Sequence, residues 1–207
     1  MKVFLLTFIL AIAVNAADKA KTSAKAVEPI KTIESVKSEN IEFKAADGKT
    51  EFLAVGKPAM IKINGEAQSA EGTLTAVKNT VNGILTVDLT KLTTKIDLRD
   101  DHLKNKYLEV DKFPKATLEL VNLELPTEVS KLTDVVTTVP FKGKFTLHGK
   151  SSEVAGIANI SRYAQIVSAQ AEFTFNITDH LDTLPTWLGV KVAESVTVKT
   201  NLKGTAK

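Results

Sequence analysis

Residues 139–148 read Val-Pro-Phe-Lys-Gly-Lys-Phe-Thr-Leu-His, and their alternation constrains the chain more than any other feature. Val139, Phe141, Gly143, Phe145 and Leu147 oppose Lys142, Lys144, Thr146 and His148. A period of two is the pleat of a strand with one buried and one wet face. The pattern recurs where Ala116, Leu118 and Leu120 oppose Thr117, Glu119 and Val121. It recurs again where Ala171, Phe173, Phe175 and Ile177 oppose Gln170, Glu172, Thr174 and Asn176, and where Leu85, Val87 and Leu89 oppose Ile84, Thr86 and Asp88. Shorter runs at 41–44 and 73–78, a hairpin of 52–56 with 59–63 around Lys57-Pro58, and a last strand at 196–202 complete the series. Ala46-Asp47-Gly48-Lys49 and Asn64-Gly65 are turn signals between them. The fold class is therefore all-β in the main: an antiparallel barrel of about eight strands, which closes its own edges, with one or two short helices. A two-sheet sandwich is the alternative.

Two segments interrupt the strands. Within 96–118, Leu103 and Tyr107 lie four apart on one helix face before Phe113-Pro114 starts a new alternating run. The second, 178–189, starts with Thr178-Asp179 as a cap before His180 and Leu181 and contains Trp187, the sole tryptophan. It covers a barrel end or packs on the outside.

At the N-terminus Lys2 precedes an apolar run that ends at Val14-Asn15-Ala16, the layout of a secretory signal peptide over residues 1–16. Roughly a dozen apolar residues are too few for a membrane span, so after cleavage the protein is not a transmembrane one; an uncleaved anchor is the alternative. Residues 17–29, rich in Ala, Lys, Ser and Thr, form a flexible linker. Residues 30–207 carry no internal repeat and form one domain. The sequence contains no cysteine, which excludes disulfides and a lipoprotein-type thiol anchor. With 27 basic and 24 acidic residues interspersed among 207, the net charge of +3 offers no footprint for nucleic acid.

Signals of catalysis are weak. His102, His148 and His180 fall in different segments, and there is no Gly-x-Ser-x-Gly elbow and no phosphate-cradling glycine loop. Asp97, Asp100, Asp101 and His102 could gather a divalent cation. The simpler account is a helix cap with a solvated face and an Asp100–Lys104 pair four residues apart. The chain thus reads as a non-enzyme with no catalytic residue, no metal and no cofactor.

Asp97-Leu98-Arg99-Asp100-Asp101-His102-Leu103, followed by Tyr107-Leu108-Glu109-Val110-Asp111-Lys112-Phe113-Pro114, resembles the signature of the YceI-like family. Ile41-Glu42-Phe43, the strand ending in Asp88-Leu89, and Phe145-Thr146-Leu147-His148-Gly149 extend the resemblance over nearly everything from residue 30 onward. It implies a lipocalin-like barrel exported to the periplasm, whose lumen takes a long isoprenoid or related lipid-like chain. Two segments depart from the commoner family pattern: 57–65 replaces a His-Gly segment, and 181–189 replaces a shorter loop.

Candidate ligand-binding residues are Leu85, Val87, Leu103, Tyr107, Phe113, Leu118, Leu120, Phe141, Phe145, Phe173, Phe175 and Trp187. Core packing is an equally good account of each phenylalanine among the strands, since small barrels either fill their interior or hold one ligand. Tyr107, Asn105 or His102 would meet a headgroup. Burying roughly twenty carbons at about 0.8 kcal/mol each gains on the order of 16 kcal/mol, against about 4–15 kcal/mol for association. The expected function is a periplasmic carrier of an isoprenoid or fatty-chain amphiphile of the quinone, polyprenyl, fatty amide or fatty acid type, with a homodimer left open. A stress-related interaction protein with a filled barrel is the alternative. A lipid-modifying enzyme ranks lower and would need His102 or His180 near a carboxylate at the mouth.

Overall fold

The computed structural model describes residues 37–57, 62–187 and 189–207, with the backbone alone of Lys57, Trp187 and Ala193. The expected signal peptide and linker, and part of the 59–63 strand, lie outside the described residues. Among the described residues eleven strands follow in order: β1 Ser38–Phe43, β2 Lys49–Lys57, β3 Lys62–Ala67, β4 Ala70–Val77, β5 Thr80–Asp88, β6 Lys115–Glu124, β7 Thr137–Leu147, β8 Lys150–Tyr163, β9 Ile166–Asn176, β10 Thr186–Trp187 and β11 Val190–Ala206. Between β5 and β6 lies α1 Asp97–Asp101, the single α-helix among the described residues, which runs on into a π-helical turn, His102–Tyr107.

All pairings are antiparallel, and eight strands close a barrel in the order β1-β4-β5-β6-β7-β8-β9-β11, with β11 returning to β1. Closure needs a long last strand. One edge of β11 pairs with β9 from Ser195 to Thr205, while its other edge pairs first with β2 and then, through Gly204 and Ala206, with β1. β2 and β3 form a hairpin that continues the wall beyond β1 and β4.

The alternating residues point as their pattern demands. Phe141, Phe145 and Leu147 are buried, whereas Val121 and Ile157 on outer faces are more than half exposed. β6 departs from strict alternation at Asn122, whose positive φ marks a bulge. After it, Leu123 and Leu125 point inward. His148 and Gly149 form the two-residue turn between β7 and β8, with φ of 51° and 71°, the left-handed geometry that a tight hairpin requires. A Cβ on Gly149 would lie 2.8 Å from the Phe113 ring, so a side chain there is excluded by space as well as by backbone.

The lower half of the barrel is packed with side chains. Ile41, Phe43, Val81, Leu123, Val139, Phe141, Ile160, Val167 and Leu202 are all buried there. A loop after β6 closes this end with Val129 and Leu132. Arg162 ties it to the wall, pairing with Glu39 at 2.8 Å and donating to the Val129 carbonyl. Among the described residues, no helix is long and apolar enough to cross a membrane.

Candidate functional site

The upper half of the barrel is hollow. A cavity of about 170 Å³ opens there, walled by β2, β3, β4, β5, β6, β7, β9 and β11 and roofed by α1, the π-helical turn and Pro185-Thr186 at the start of β10. Of the residues singled out from sequence, Leu85, Val87, Leu103, Tyr107, Leu118, Phe145, Phe173 and Phe175 line it together. Leu120 and Phe141 do not; both are buried lower in the barrel, where Phe141 meets Phe173 edge-on at 6.3 Å. Phe113 packs instead against His148, with ring centroids 4.4 Å apart. The Trp187 side chain lies outside the described residues, while its backbone pairs with Val190.

Sequence reasoning passed over Phe52, Ala54 and Ile63 of the β2–β3 hairpin, Leu89 and Leu92 after β5, and Val192, Val196 and Val198 of β11, all of which also line the cavity. The Phe52 ring lies against Gly65, where a Cβ would come within 2.1 Å of it. The Asn64-Gly65 pair is thus a strand position that makes room for an aromatic wall, not a turn. Phe145 is the hub of the aromatic side, with Phe173 at 5.2 Å and Phe175 at 4.8 Å.

Polar groups gather at the roof. Thr94, Arg99, His102, Tyr107 and Thr186 border the cavity there. The Tyr107 hydroxyl accepts from the Thr186 backbone N–H at 3.1 Å and stands 3.2 Å from its hydroxyl. These bonds join the two interruptions of the strand pattern across the mouth, and they hold the phenol below its ordinary pKa. The loop at Thr93-Thr94-Lys95 is fixed by Asp100. Its carboxylate accepts from the Thr94 N–H at 2.7 Å, the Thr94 hydroxyl and the Thr93 hydroxyl at 2.7 Å. Burial pushes the Asp100 pKa up, and these hydrogen bonds outweigh it, so the carboxyl lies below the usual range.

Asp100 therefore turns back to the loop and not forward to Lys104, which donates to the Thr90 carbonyl. Asp101 accepts from Asn105. Among the described residues no group of three His, Cys, Asp or Glu side chains is placed to hold a metal ion.

The histidines separate into distinct roles. His180 is fully buried; its Nδ1 donates to the Lys150 carbonyl at 2.9 Å. Nε2 of the neutral ring then accepts from the Ser152 hydroxyl at 2.9 Å, and the Phe145 and Phe175 rings flank it. This pins the chain after β9 to β8. His148 meets a carboxylate, Glu109, at 2.8 Å, beneath Phe113 and away from the cavity. His102 borders the cavity.

A family model described as the YceI-like domain matches residues 17–204. No curated protein sequence is significantly similar to the chain. Among solved structures, a polyisoprenoid-binding domain from Saccharophagus degradans superposes with a TM-score of 0.64 at 16% identity, covering 81% of this chain and 98% of that one. BcnA of Burkholderia cenocepacia superposes with a TM-score of 0.63 at 15% identity, covering 79% and 99%. A YceI protein from Campylobacter jejuni gives 0.50 at 16% identity, covering 95% and 99%. At these identities the likeness is one of fold.

Proposed function

The chain belongs to the YceI-like family, and from that premise we propose that its barrel is the container of an apolar-chain amphiphile, an isoprenoid or another lipid-like molecule, which it carries through the periplasm. One observation carries the reading: a closed barrel whose lower half is filled by side chains keeps its upper half hollow and apolar. Close packing is the rule for protein interiors, and a void this large forfeits contacts unless something occupies it. The polyisoprenoid-binding domain that shares the fold points the same way.

The volume sets the manner of binding. An apolar cavity of about 150 Å³ stays dry and takes up one benzene. The present space of about 170 Å³ thus takes one segment of a chain. A longer chain enters by separating the roof, whose parts meet through the bonds of Tyr107 to Thr186. Each methylene buried contributes about 0.8 kcal/mol. The Ser152–His180 and Glu109–His148 pairs stand outside the cavity lining, and we assign them no catalytic step. Export by residues 1–16 supplies the compartment.

The test is extraction of the natively purified full-length protein with organic solvent, followed by mass spectrometry. A stoichiometric chain lipid is the expected result. If none is found, and added quinones or fatty amides change neither the tryptophan fluorescence nor the melting temperature, the carrier reading falls.

A further inference from the structure

One residue in the roof has no role in holding the barrel together that would explain its charge. Arg99 is half-buried, and among the described residues it is the one lysine or arginine bordering a cavity whose walls are mainly apolar. Its Nε donates to the Thr94 hydroxyl at 2.8 Å and its Nη2 to the Thr94 carbonyl at 2.8 Å. Among the described residues no carboxylate forms an ion pair with it. Asp100, its neighbour in sequence, spends its carboxylate on Thr93 and Thr94. The guanidinium is therefore held along one edge by neutral acceptors, and the N–H groups of its Nη1–Nη2 end have no anionic partner among the described residues.

A partly desolvated guanidinium without a counter-charge is costly, and its planar fork matches the two oxygens of a carboxylate or phosphate. Arg99, Leu103 and Tyr107 follow one another at intervals of four, so one face of α1 and its π-helical extension presents the charge beside the apolar entrance. The sequence motif already contained this spacing. Tyr107 and Thr186 spend their hydrogen-bonding groups on each other and Thr94 spends its own on Asp100 and Arg99, so that Arg99, with His102 beside it in the lining, is the group whose permanent charge suits an anionic headgroup.

We propose that Arg99 selects the ligand, and that the ligand is an acid: an apolar chain ending in a carboxylate or phosphate, whose oxygens take the free end of the guanidinium while the chain enters the cavity. The inference rests on the reading of the cavity as a lipid container and narrows the ligand class from amphiphiles in general to anionic ones. It concerns recognition alone, with no bond made or broken.

The experiment uses delipidated full-length protein and two matched pairs of probes, palmitic acid against palmitamide and farnesyl phosphate against farnesol, measured by calorimetry. The acid of at least one pair should bind about tenfold or more tighter than its neutral partner, as expected for a charge-assisted fork. The pair that shows the preference identifies the carboxylate or the phosphate as the headgroup. In Arg99→Met the acid should weaken by roughly that factor, while the neutral probe keeps its affinity, a split that general loss of structure would not produce. Arg99→Lys should restore part of the preference. Equal binding of acid and neutral probes by the wild type, or a preference that survives Arg99→Met, overturns the inference and leaves the container reading standing. Failure of all four probes to bind overturns both.

Discussion

The Tyr107 hydroxyl lies between two groups of Thr186, 3.1 Å from its N–H and 3.2 Å from its hydroxyl, and so joins the helical roof of the cavity to the strand β10 that precedes the last wall strand. The residues are separated by 79 positions in sequence. On the container reading proposed above, this contact opens to admit a chain longer than the cavity. Tyr107→Phe keeps the ring on the cavity wall and removes the latch. Net hydrogen bonds contribute about 0.5–1.5 kcal/mol each, so the variant should lose about 1 kcal/mol in urea unfolding. Stopped-flow mixing with an uncharged naphthylamine dye should show faster entry. Unchanged entry kinetics would mean that ligands use another route.

Hollow above and filled below is a claim about two valines. Val87 borders the cavity and is half-buried, whereas Val139 is buried in the packed base. Overpacking a filled core costs about 1–3 kcal/mol, so Val139→Phe should fall in that range. Val87→Phe has free space to occupy and should be tolerated or stabilising while displacing any bound chain. Equal destabilisation by the two substitutions would show that the upper half is no emptier than the lower.

How far the site was legible depends on which residues carried the pattern. Strands with large alternating side chains, such as β7 with Phe141 and Phe145, announce their inward faces. β8 does not, because the residues it turns inward include Ser152, Gly156 and Ala158, and its outer face carries Ile157. Small residues there make room for others. A Cβ on Gly156 would lie 2.7 Å from the Phe141 ring. Alternation gives the direction of a side chain but not its height in the barrel, so Leu85 and Leu120 look equivalent in sequence although only Leu85 borders the cavity. The pairing of Tyr107 with Thr186 depends on two loops meeting, and no local pattern encodes that. Arg99 is different: its spacing from Leu103 and Tyr107 is present in the sequence, but an arginine set among Asp97, Asp100 and Asp101 carries no local sign that it lacks an ion-pair partner among the described residues.

Glu66 gives the fold an acid-sensitive tie. Its carboxylate pairs with Lys49 at 2.8 Å and Lys95 at 2.6 Å, while its backbone exchanges two hydrogen bonds with Thr93, fixing the edge of β3 to the loop under α1. The hydrogen bond from Lys49, then that from Lys95, lowers the Glu66 pKa to about 2. An unfolded glutamate titrates near about 4.3. A depressed carboxyl contributes its stability in full above the unfolded value and loses it as the pH falls through the folded one. Glu66→Gln should therefore be less stable than wild type at neutral pH, with a difference that shrinks between about pH 4.3 and pH 2 and vanishes below. Because the pair is solvent-screened, the difference should be small and reduced by salt. A difference that is constant with pH would assign the effect to packing.

The buried pair Ser152–His180 separates a structural role from a chemical one. The Nδ1–H of His180 donates to the Lys150 carbonyl, so in the neutral ring Nε2 accepts and the Ser152 hydroxyl is its donor. Ser152→Ala leaves that nitrogen buried and unsatisfied, at a cost of about 1–3 kcal/mol. Removing both members, in Ser152→Ala with His180→Phe, replaces a polar pair by apolar groups among Phe145 and Phe175. The Lys150 carbonyl then loses the His180 donor, so part of the penalty remains. The double variant should nevertheless be less destabilised than the sum of the two single ones, a coupling of about 0.5–3 kcal/mol. A double-mutant cycle by urea denaturation measures it. Bound-lipid content should be unchanged in Ser152→Ala, because the pair stands outside the cavity lining. Additive losses would show that the hydrogen bond does not hold the segment after β9, and a product formed from an added ester by the wild type but not by Ser152→Ala would turn the pair from a structural tie into a nucleophile and its base.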